Sequence, residues 1–392
     1  MTFEWKVYAR DPNYQIQGQI DDFSSAEFVP TYNGVGTWKV TLDRRAKTAP
    51  SLTNPGWGVV LTRNDTPVFS GIRTDVRHVL NDKDNYMELS GLSDEAWLQD
   101  RLVSPSPTES SPPYTLQASD VRAGLASTVI WGYVNANLGP GAVSTRRKTN
   151  LTMATDPAIG FGVRGEARWD ADLLSFIQPL AQTGAVGFRM VQVGAGIQFQ
   201  IYAPTNRSST VKFSVELGNI AGFEYTSTRP KADYVYVGAS GTGTSRIIKE
   251  SSDGDAVATW ERIEGTLVNQ SSTSDSNQIA QAAADALAQN SEQATLQFTP
   301  IEDPQKVASP IRFGVDYFIG DYVTVQLEPT VSTPYVNQGQ VVDLVRQVTI
   351  NLVKDGPQTV VPTMGTPARG TVAKLIRAYQ DHALRLNTLE RQ

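Results

Sequence analysis

Residues 34–102 read GVGTWKVTLDRRAKTAPSLTNPGWGVVLTRNDTPVFSGIRTDVRHVLNDKDNYMELSGLSDEAWLQDRL. Trp38, Val40 and Leu42 alternate with Thr37, Lys39 and Thr41, the period-two pattern of a strand with one buried face. A second alternating run, Trp57, Val59 and Leu61, follows Pro55-Gly56. Arg63-Asn64-Asp65-Thr66-Pro67 has the composition of a tight turn. Val68 to Ile72 opens a third strand and Val76 to Leu80 continues it. Asn81 to Asn85 turns, and Tyr86 to Ser90 returns. Ser93-Asp94-Glu95 then predicts a short helix through Leu98, with Ser93 as N-cap and two acids in the first turn. Upstream, Phe3 to Ala9 alternates as a strand, Asp11-Pro12-Asn13 breaks it, and Gln15 to Ile20 and Ser24 to Val29 are short extended pieces. About seven strands therefore precede residue 100, enough to close a small barrel without exposed edges.

Composition agrees with a turn-rich, mainly β chain. The 392 residues are 40% hydrophobic and 19% charged, with 31 Gly and 22 Pro, which implies folded domains, several of them. No apolar run approaches the ~18 residues of a membrane span, so no stable membrane insertion is expected, and MTFEWKVYAR lacks the pattern of a secretory signal. Cysteine is absent, which excludes disulfide frameworks, zinc–cysteine sites and thiol nucleophiles. The two histidines, His78 and His382, do not form an HExxH motif, and neither has the context of a Ser-His-Asp triad. No cofactor is expected. A net charge of −6 disfavours general DNA binding, which needs clustered Lys and Arg.

The remaining chain alternates inserted and all-β stretches. Ser104 to Pro113, SPSPTESSPP, reads as a linker or exposed loop. Ala118-Ser119-Asp120 predicts the cap of a helix through Val121, Leu125, Val129 and Trp131. Arg146-Arg147-Lys148 is the strongest basic cluster, either a solvated turn or a contact with DNA or a neighbouring subunit. Trp169 to Leu180 predicts an amphipathic helix with acids in its first turn. The strands Gly184 to Val191 and Gly196 to Tyr202 follow. Strands recur at Val211 to Val215, Ile220 to Thr226, Asp233 to Gly238 and Arg246 to Glu250. The loop Ala239 to Ser245 lacks the GK[ST] of a phosphate cradle and reads as a hairpin loop. Asp253-Gly254-Asp255 reads as a hairpin turn, and Trp260 to Glu264 as an extended end. Glu261 and Glu264 could in principle pair for acid–base work on a sugar, though a surface placement is favoured. Asp275 to Gln289 predicts an Ala-rich helix. Ala294 to Pro300, Tyr317 to Leu327, Gln338 to Asp343 and Arg346 to Val353 complete the strands.

Several of these segments resemble the tail-hub family of long-tailed phages. "GTWKVTL", "VFSGIR" and "LSGLSDEAWLQDRL" look like its N-terminal barrel. "GAVGFRM" after a helix is similar to its insert, and "DYVYVGAS", "YFIGDYVTVQL" and "RQVTINLVKDG" to its second barrel. The family shares its fold with contractile-tail hubs and type VI spike hubs. The resemblance implies a mainly β chain with α+β insertions. Two antiparallel β-barrels, residues 1–105 and residues 211–262 with 311–356, would carry insertions at 106–210 and 263–310 and a linker and helix at 357–392. It also implies a non-enzymatic virion protein of the tail tip, assembled in the host cytoplasm. Its partners would be two further copies in a homotrimeric ring, the distal tail protein or tail tube, the tape-measure protein, and fibre or spike proteins, with DNA passing through the lumen. Alternatives are a tail-associated cell-wall hydrolase, for which the ~40 residues after the last strand leave no room, and a carbohydrate-binding receptor-recognition protein. The seven Trp and fourteen Tyr would allow the latter, but their positions read as strand interiors.

In the last segment Val372, Leu375, Tyr379, His382, Leu386 and Leu389 recur at intervals of 3, 4, 3, 4 and 3, heptad a/d spacing. Such a helix packs on its own domain, or with its copies about an axis, or on a fibre or spike protein. A histidine on that seam would weaken it or make it pH-sensitive.

Overall fold

The computed structural model describes residues 5–365 apart from 48, 83, 272, 328–338 and 357. The described residues fall into two compact units, one within 1–223 and 297–363, the other within 224–296 with 364 and 365. The elements in chain order are β1 (Trp5–Arg10), β2 (Ile16–Gln19), β3 (Phe23–Val29), β4 (Thr37–Asp43), α1 (Ala49–Leu52), β5 (Gly58–Arg63), β6 (Thr66–Leu80), β7 (Asn85–Ser93) and α2 (Ala96–Gln99). Then come β8 (Asp120–Leu125), α3 (Ala126–Asn137), β9 (Leu151–Met153), β10 (Gly162–Ala167), α4 (Leu173–Thr183), β11 (Gly187–Gln192) and β12 (Ile197–Tyr202). The last are β13 (Lys212–Ser214), β14 (Ile220–Thr228), β15 (Tyr234–Gly238), β16 (Ile248–Ser252), α5 (Gly254–Trp260), β17 (Val268–Asn269), α6 (Ser276–Asn290), β18 (Gln293–Pro300), β19 (Tyr322–Gln326), β20 (Gln340–Val353) and β21 (Thr359–Gly365).

The seven strands expected before residue 100 are all present. The alternation read at Trp38, Val40 and Leu42 is the burial pattern of β4, whose three apolar side chains are buried and whose Thr37, Lys39 and Asp43 are exposed. Trp38 pairs with Gly91 on β7, and its indole N–H donates to the Ile72 carbonyl at 3.1 Å. A Cβ at Gly91 would stand 1.9 Å from that carbonyl oxygen and 2.5 Å from the indole nitrogen, so the large ring and the bare residue opposite it are one packing solution.

Two closed barrels are not what the pairing describes. Among the described residues the strands follow a single open path, β14-β18-β21-β20-β3-β4-β7-β6-β5-β1-β2, with β13 and β19 attached to make a 13-stranded sheet. The link is β20. Its first residues pair with β19, Tyr322 against Leu344 through Gln326 against Gln340. Its last pair with β3, Ile350 against Phe28 through Val353 against Ser25. The sequence suggested two strands here because Leu344 and Val345 are both buried, which interrupts the period-two pattern inside one continuous strand.

Within the same unit, 120–202 supplies its own core. Helices α3 and α4 bring Ile130, Tyr133, Val134, Leu173 and Ile177 against Phe188, Phe199 and Ile201 of the three-stranded sheet β11-β12-β9. The helix expected from Trp169 with acids in its first turn starts later, at Leu173, and Asp172 caps it by accepting from the Ser175 N–H at 2.9 Å. The helix expected from Ala118-Ser119-Asp120 starts later: Asp120 to Leu125 pair with β10 as β8, and α3 begins at Ala126. Ser104 to Pro113 is no free linker. Ser104 and Ser106 are buried, and the Ser104 N–H donates to Asn137 Oδ1 at 2.8 Å.

The second unit holds the sheet β16-β15-β17. The Gly-rich segment 239–245 connects β15 to β16, which pair antiparallel as a hairpin. Helix α6 lays Ile279 and Ala283 on Val235, Val237 and Ala239, and Asp275 caps it by accepting from the Asn277 and Gln278 N–H groups. Asp253-Gly254-Asp255 is a helix start rather than a hairpin turn, since the Asp253 side chain accepts from Asp255 and Ala256 N–H at the head of α5. Trp260 therefore ends a helix instead of opening a strand, and Glu261 follows it with φ +60°.

Candidate functional site

Strand β11 is an outer strand of its three-stranded sheet, so one side of its backbone needs partners from elsewhere. They come from turns of the large sheet. Asn33, at φ +49°, accepts from the Phe188 N–H at 2.7 Å and donates to the Val186 carbonyl at 2.9 Å. Gln178 Nε2 donates to the Asn33 carbonyl at 2.8 Å. Two residues along β11, the Met190 N–H donates to Glu95 Oε1 at 2.8 Å. Two further on, the Gln192 side chain accepts from Arg10 Nη1 at 2.8 Å and donates to the Tyr14 carbonyl at 2.9 Å.

Arg10 closes β1 and is 1% exposed, and Asp94 is fully buried. The guanidinium grips the carboxylate as a fork, Nη1 to Oδ2 at 2.7 Å and Nη2 to Oδ1. Ser70 Oγ also donates to Oδ2, at 2.6 Å. The guanidinium lies 4.7 Å from the Tyr14 ring centroid. Burial acts to lower the Arg10 pKa, and the charge and hydrogen bond of Asp94 more than reverse it. A Cβ at Gly58, opposite Arg10 on β5, would meet the Gly71 carbonyl at 2.1 Å and Arg10 Nε at 3.1 Å, so the pair needs a glycine beside it. Glu95 lies next along the chain, and burial pushes its carboxyl up to about 7, against the hydrogen bonds from Met190 N–H and Ser93. The acidic pair expected in a helix first turn is thus turned inward. Ser93 accepts from the Gly36 N–H at 2.8 Å instead of capping α2.

A second buried arginine makes an analogous joint. Arg63 at the end of β5 bonds Glu302 Oε2 at 2.7 Å and the Phe313 carbonyl, and stacks 4.6 Å from the Trp5 ring. Glu302 also accepts from the Phe313 N–H at 2.8 Å. Arg207 with Asp321, at 2.7 Å, makes a third. Together these clamps tie β1 and β5, the 120–202 layer and residues 301–321 into one body. Their chemistry is positional, because each charge is matched and each carboxylate is occupied by donors.

The other residues singled out in the sequence are placed as follows. Val372, Leu375, Tyr379, His382, Leu386 and Leu389 lie outside the described residues. Arg146 and Lys148 are half-buried rather than solvated. Lys148 Nζ sits 4.1 Å from the Trp97 ring and 5.0 Å from Tyr14, and burial holds its amine below the ordinary lysine range. His78 is exposed on β6. Glu264 is exposed and bonded to Arg262 at 2.7 Å, and Glu261 is exposed after α5. Asn33, Gln192 and the inward turn of Glu95 were not read from the sequence. Asn33 had a local signal in Tyr-Asn-Gly, since asparagine tolerates positive φ before a glycine. Gln192 had none.

This large mixed sheet with an α+β layer clamped to it has counterparts among solved structures. The chain overlays the 43 kDa tail protein of prophage MuSo2 from Shewanella oneidensis with a TM-score of 0.58, covering 93% of this chain and 98% of that one at 12% identity. It overlays the tail protein from Neisseria meningitidis MC58 with a TM-score of 0.53, covering 93% and 97% at 10% identity. At such identities the likeness is one of fold. Residues 4–366 match the family described as Siphovirus ReqiPepy6 Gp37-like protein, and the chain belongs to that family. No curated protein matches it.

Proposed function

We propose that this chain is a structural protein of a long-tailed phage virion, the hub of its tail tip. The observation that carries the reading is that family membership over residues 4–366 coincides with a fold shared with two tail proteins over 93% of the chain. In this reading three copies form a ring. In the arrangement the family resemblance implies, each subunit would present two similar β segments to the tube, six in the ring. The distal tail protein or tail tube binds above, the tape-measure protein and then DNA occupy the lumen, and fibre or spike proteins bind below. A net charge of −6 suits a wall past which DNA slides without sticking. The heptad spacing of Val372, Leu375, Tyr379, His382, Leu386 and Leu389 supports a role for that segment in meeting its copies on the axis or gripping a tip protein.

The buried, charge-paired clamps at Arg10 and Arg63 favour this structural reading over a hydrolase. Glu261 and Glu264, the pair considered for acid–base work, are exposed, and Glu264 is engaged by Arg262. Gold-labelled antibody against the chain tests the placement on virions of a phage encoding it. Label at the tail tip is expected, and label along the tube or on the head would refute the hub reading.

A further inference from the structure

We propose that a cleft beside the 120–202 layer binds an anionic saccharide, a sugar ring carrying a carboxylate or phosphate. The cavity is about 330 Å³ and lies between Asp100, Arg101, Leu102, Ser104, Glu109, Tyr114, Arg146 and Trp169. That volume suits one or two sugar rings. Its floor is aromatic. Trp169 is 44% exposed, which is unusual for an indole outside an interface, and its ring lies 5.6 Å from that of Tyr114. Such a face packs against the C–H side of a pyranose.

Its charge comes from two neighbouring arginines. The Arg101 Nε–H donates to the Arg146 carbonyl at 3.4 Å, and the Arg146 guanidinium stands 5.9 Å from the Trp169 ring. Burial and the charge of Arg101 hold the Arg146 pKa below the ordinary arginine range. Among the described residues neither guanidinium is ion-paired, unlike Arg10, Arg63 and Arg207. Guanidinium groups match carboxylate and phosphate oxygens with two parallel bonds. Arg101 Nη1 also donates to the Asp100 carbonyl at 3.0 Å; the exposed Asp100 side chain lines the cleft as an acceptor for sugar hydroxyls, while Glu109 already accepts from the Leu116 N–H at 3.0 Å.

The walls are preformed. The Val103 N–H donates to the Ala171 carbonyl at 3.0 Å and the Leu173 N–H to the Arg101 carbonyl at 2.7 Å. Arg146 bonds Asn137 Oδ1 at 3.1 Å and the Leu102 carbonyl. A fixed aromatic floor beside two cations lacking carboxylate partners is poised for a ligand that is flat, hydroxylated and negative.

Calorimetric titration of the full chain with three probes tests this: a hyaluronan tetrasaccharide (carboxylate), glucose 6-phosphate (phosphate) and maltotetraose (neutral). At least one anionic probe should bind and maltotetraose should bind at least about tenfold more weakly. Which anion binds identifies the source. Trp169→Ala and Arg101→Gln should each weaken binding by roughly tenfold, with the mass in solution unchanged. Failure of the site is thereby separable from failure of the hub reading. No binding by any probe at millimolar concentration would overturn the proposal. So would equal binding of maltotetraose, or affinity unchanged in both variants.

Discussion

The two units solve the burial of polar groups in opposite ways. The first unit encloses charge: Arg10 with Asp94, and Arg63 with Glu302, sit among carbonyls and aromatic rings with almost no exposure. Its 120–202 core alone contains Tyr133, Phe176, Phe188 and Phe199. The second unit buries one carboxylate, Asp233, which accepts from the Ile263 N–H at 2.8 Å, but among its described residues it holds no buried ion pair; its other charges are outside. Arg262 stacks on Tyr234 at 3.7 Å in solvent, and the core under α6 is Ile279 and Ala283 against Val235, Val237, Ala232 and Ala239. A buried ion pair adds little stability over an apolar pair of the same volume, but losing one partner is costly, so it enforces one arrangement. The first unit is thus built for fixed geometry, and the second rests on a thin apolar contact.

The sharpest break in this contrast is Arg10→Ala, which strands the buried Asp94 carboxylate and should cost roughly 3–5 kcal/mol in urea unfolding. Replacing both partners, Arg10→Met with Asp94→Leu, should recover most of that loss, since no unmatched charge remains. Glu95 gives the pH arm. Its carboxyl is raised from 4.5 to about 7, so between those values the folded chain holds a proton that the unfolded chain has released. The stabilisation is complete below about pH 4.5 and is lost as pH rises through 7, a fall of roughly 3 kcal/mol. Glu95→Gln keeps an acceptor for the Met190 N–H and should flatten that fall, read as the urea midpoint at pH 5 and pH 8. In the second unit Ile279→Ala should cost about 2 kcal/mol. Hydrogen exchange should then accelerate in 234–290 and stay unchanged in β4 and β7. The smallest effect belongs to Asp275→Ala, about 1 kcal/mol for a lost helix cap, confined to exchange in α6.

Much of the β content was legible because it is written locally. The alternation of β4, the Ala-rich run of α6 and the hairpin joining β15 to β16 depend on residues within a turn of one another. Other features are set by distant partners. Ser93-Asp94-Glu95 carries a sound capping pattern, yet Arg10, Met190 and Gly36 draw those side chains inward instead. Asp120 to Leu125 has a helical look, but pairing with 162–167 holds it extended. The single open sheet was hidden because β20 serves β19 and β3 in succession, a fact of long-range register that no window of sequence contains. Trp169 was read as part of a helix, and only the approach of Tyr114 and Arg146 shows it as the floor of a cleft.

The central claim is a trimeric hub, and the mass of the full chain in solution tests it most directly. One chain is 42.7 kDa. Light scattering across a concentration series should show three times that mass, about 128 kDa, growing in with concentration by mass action. The trimer should recede when residues 369–392 are removed. A stable dimer, or a monomer at every concentration, would contradict it.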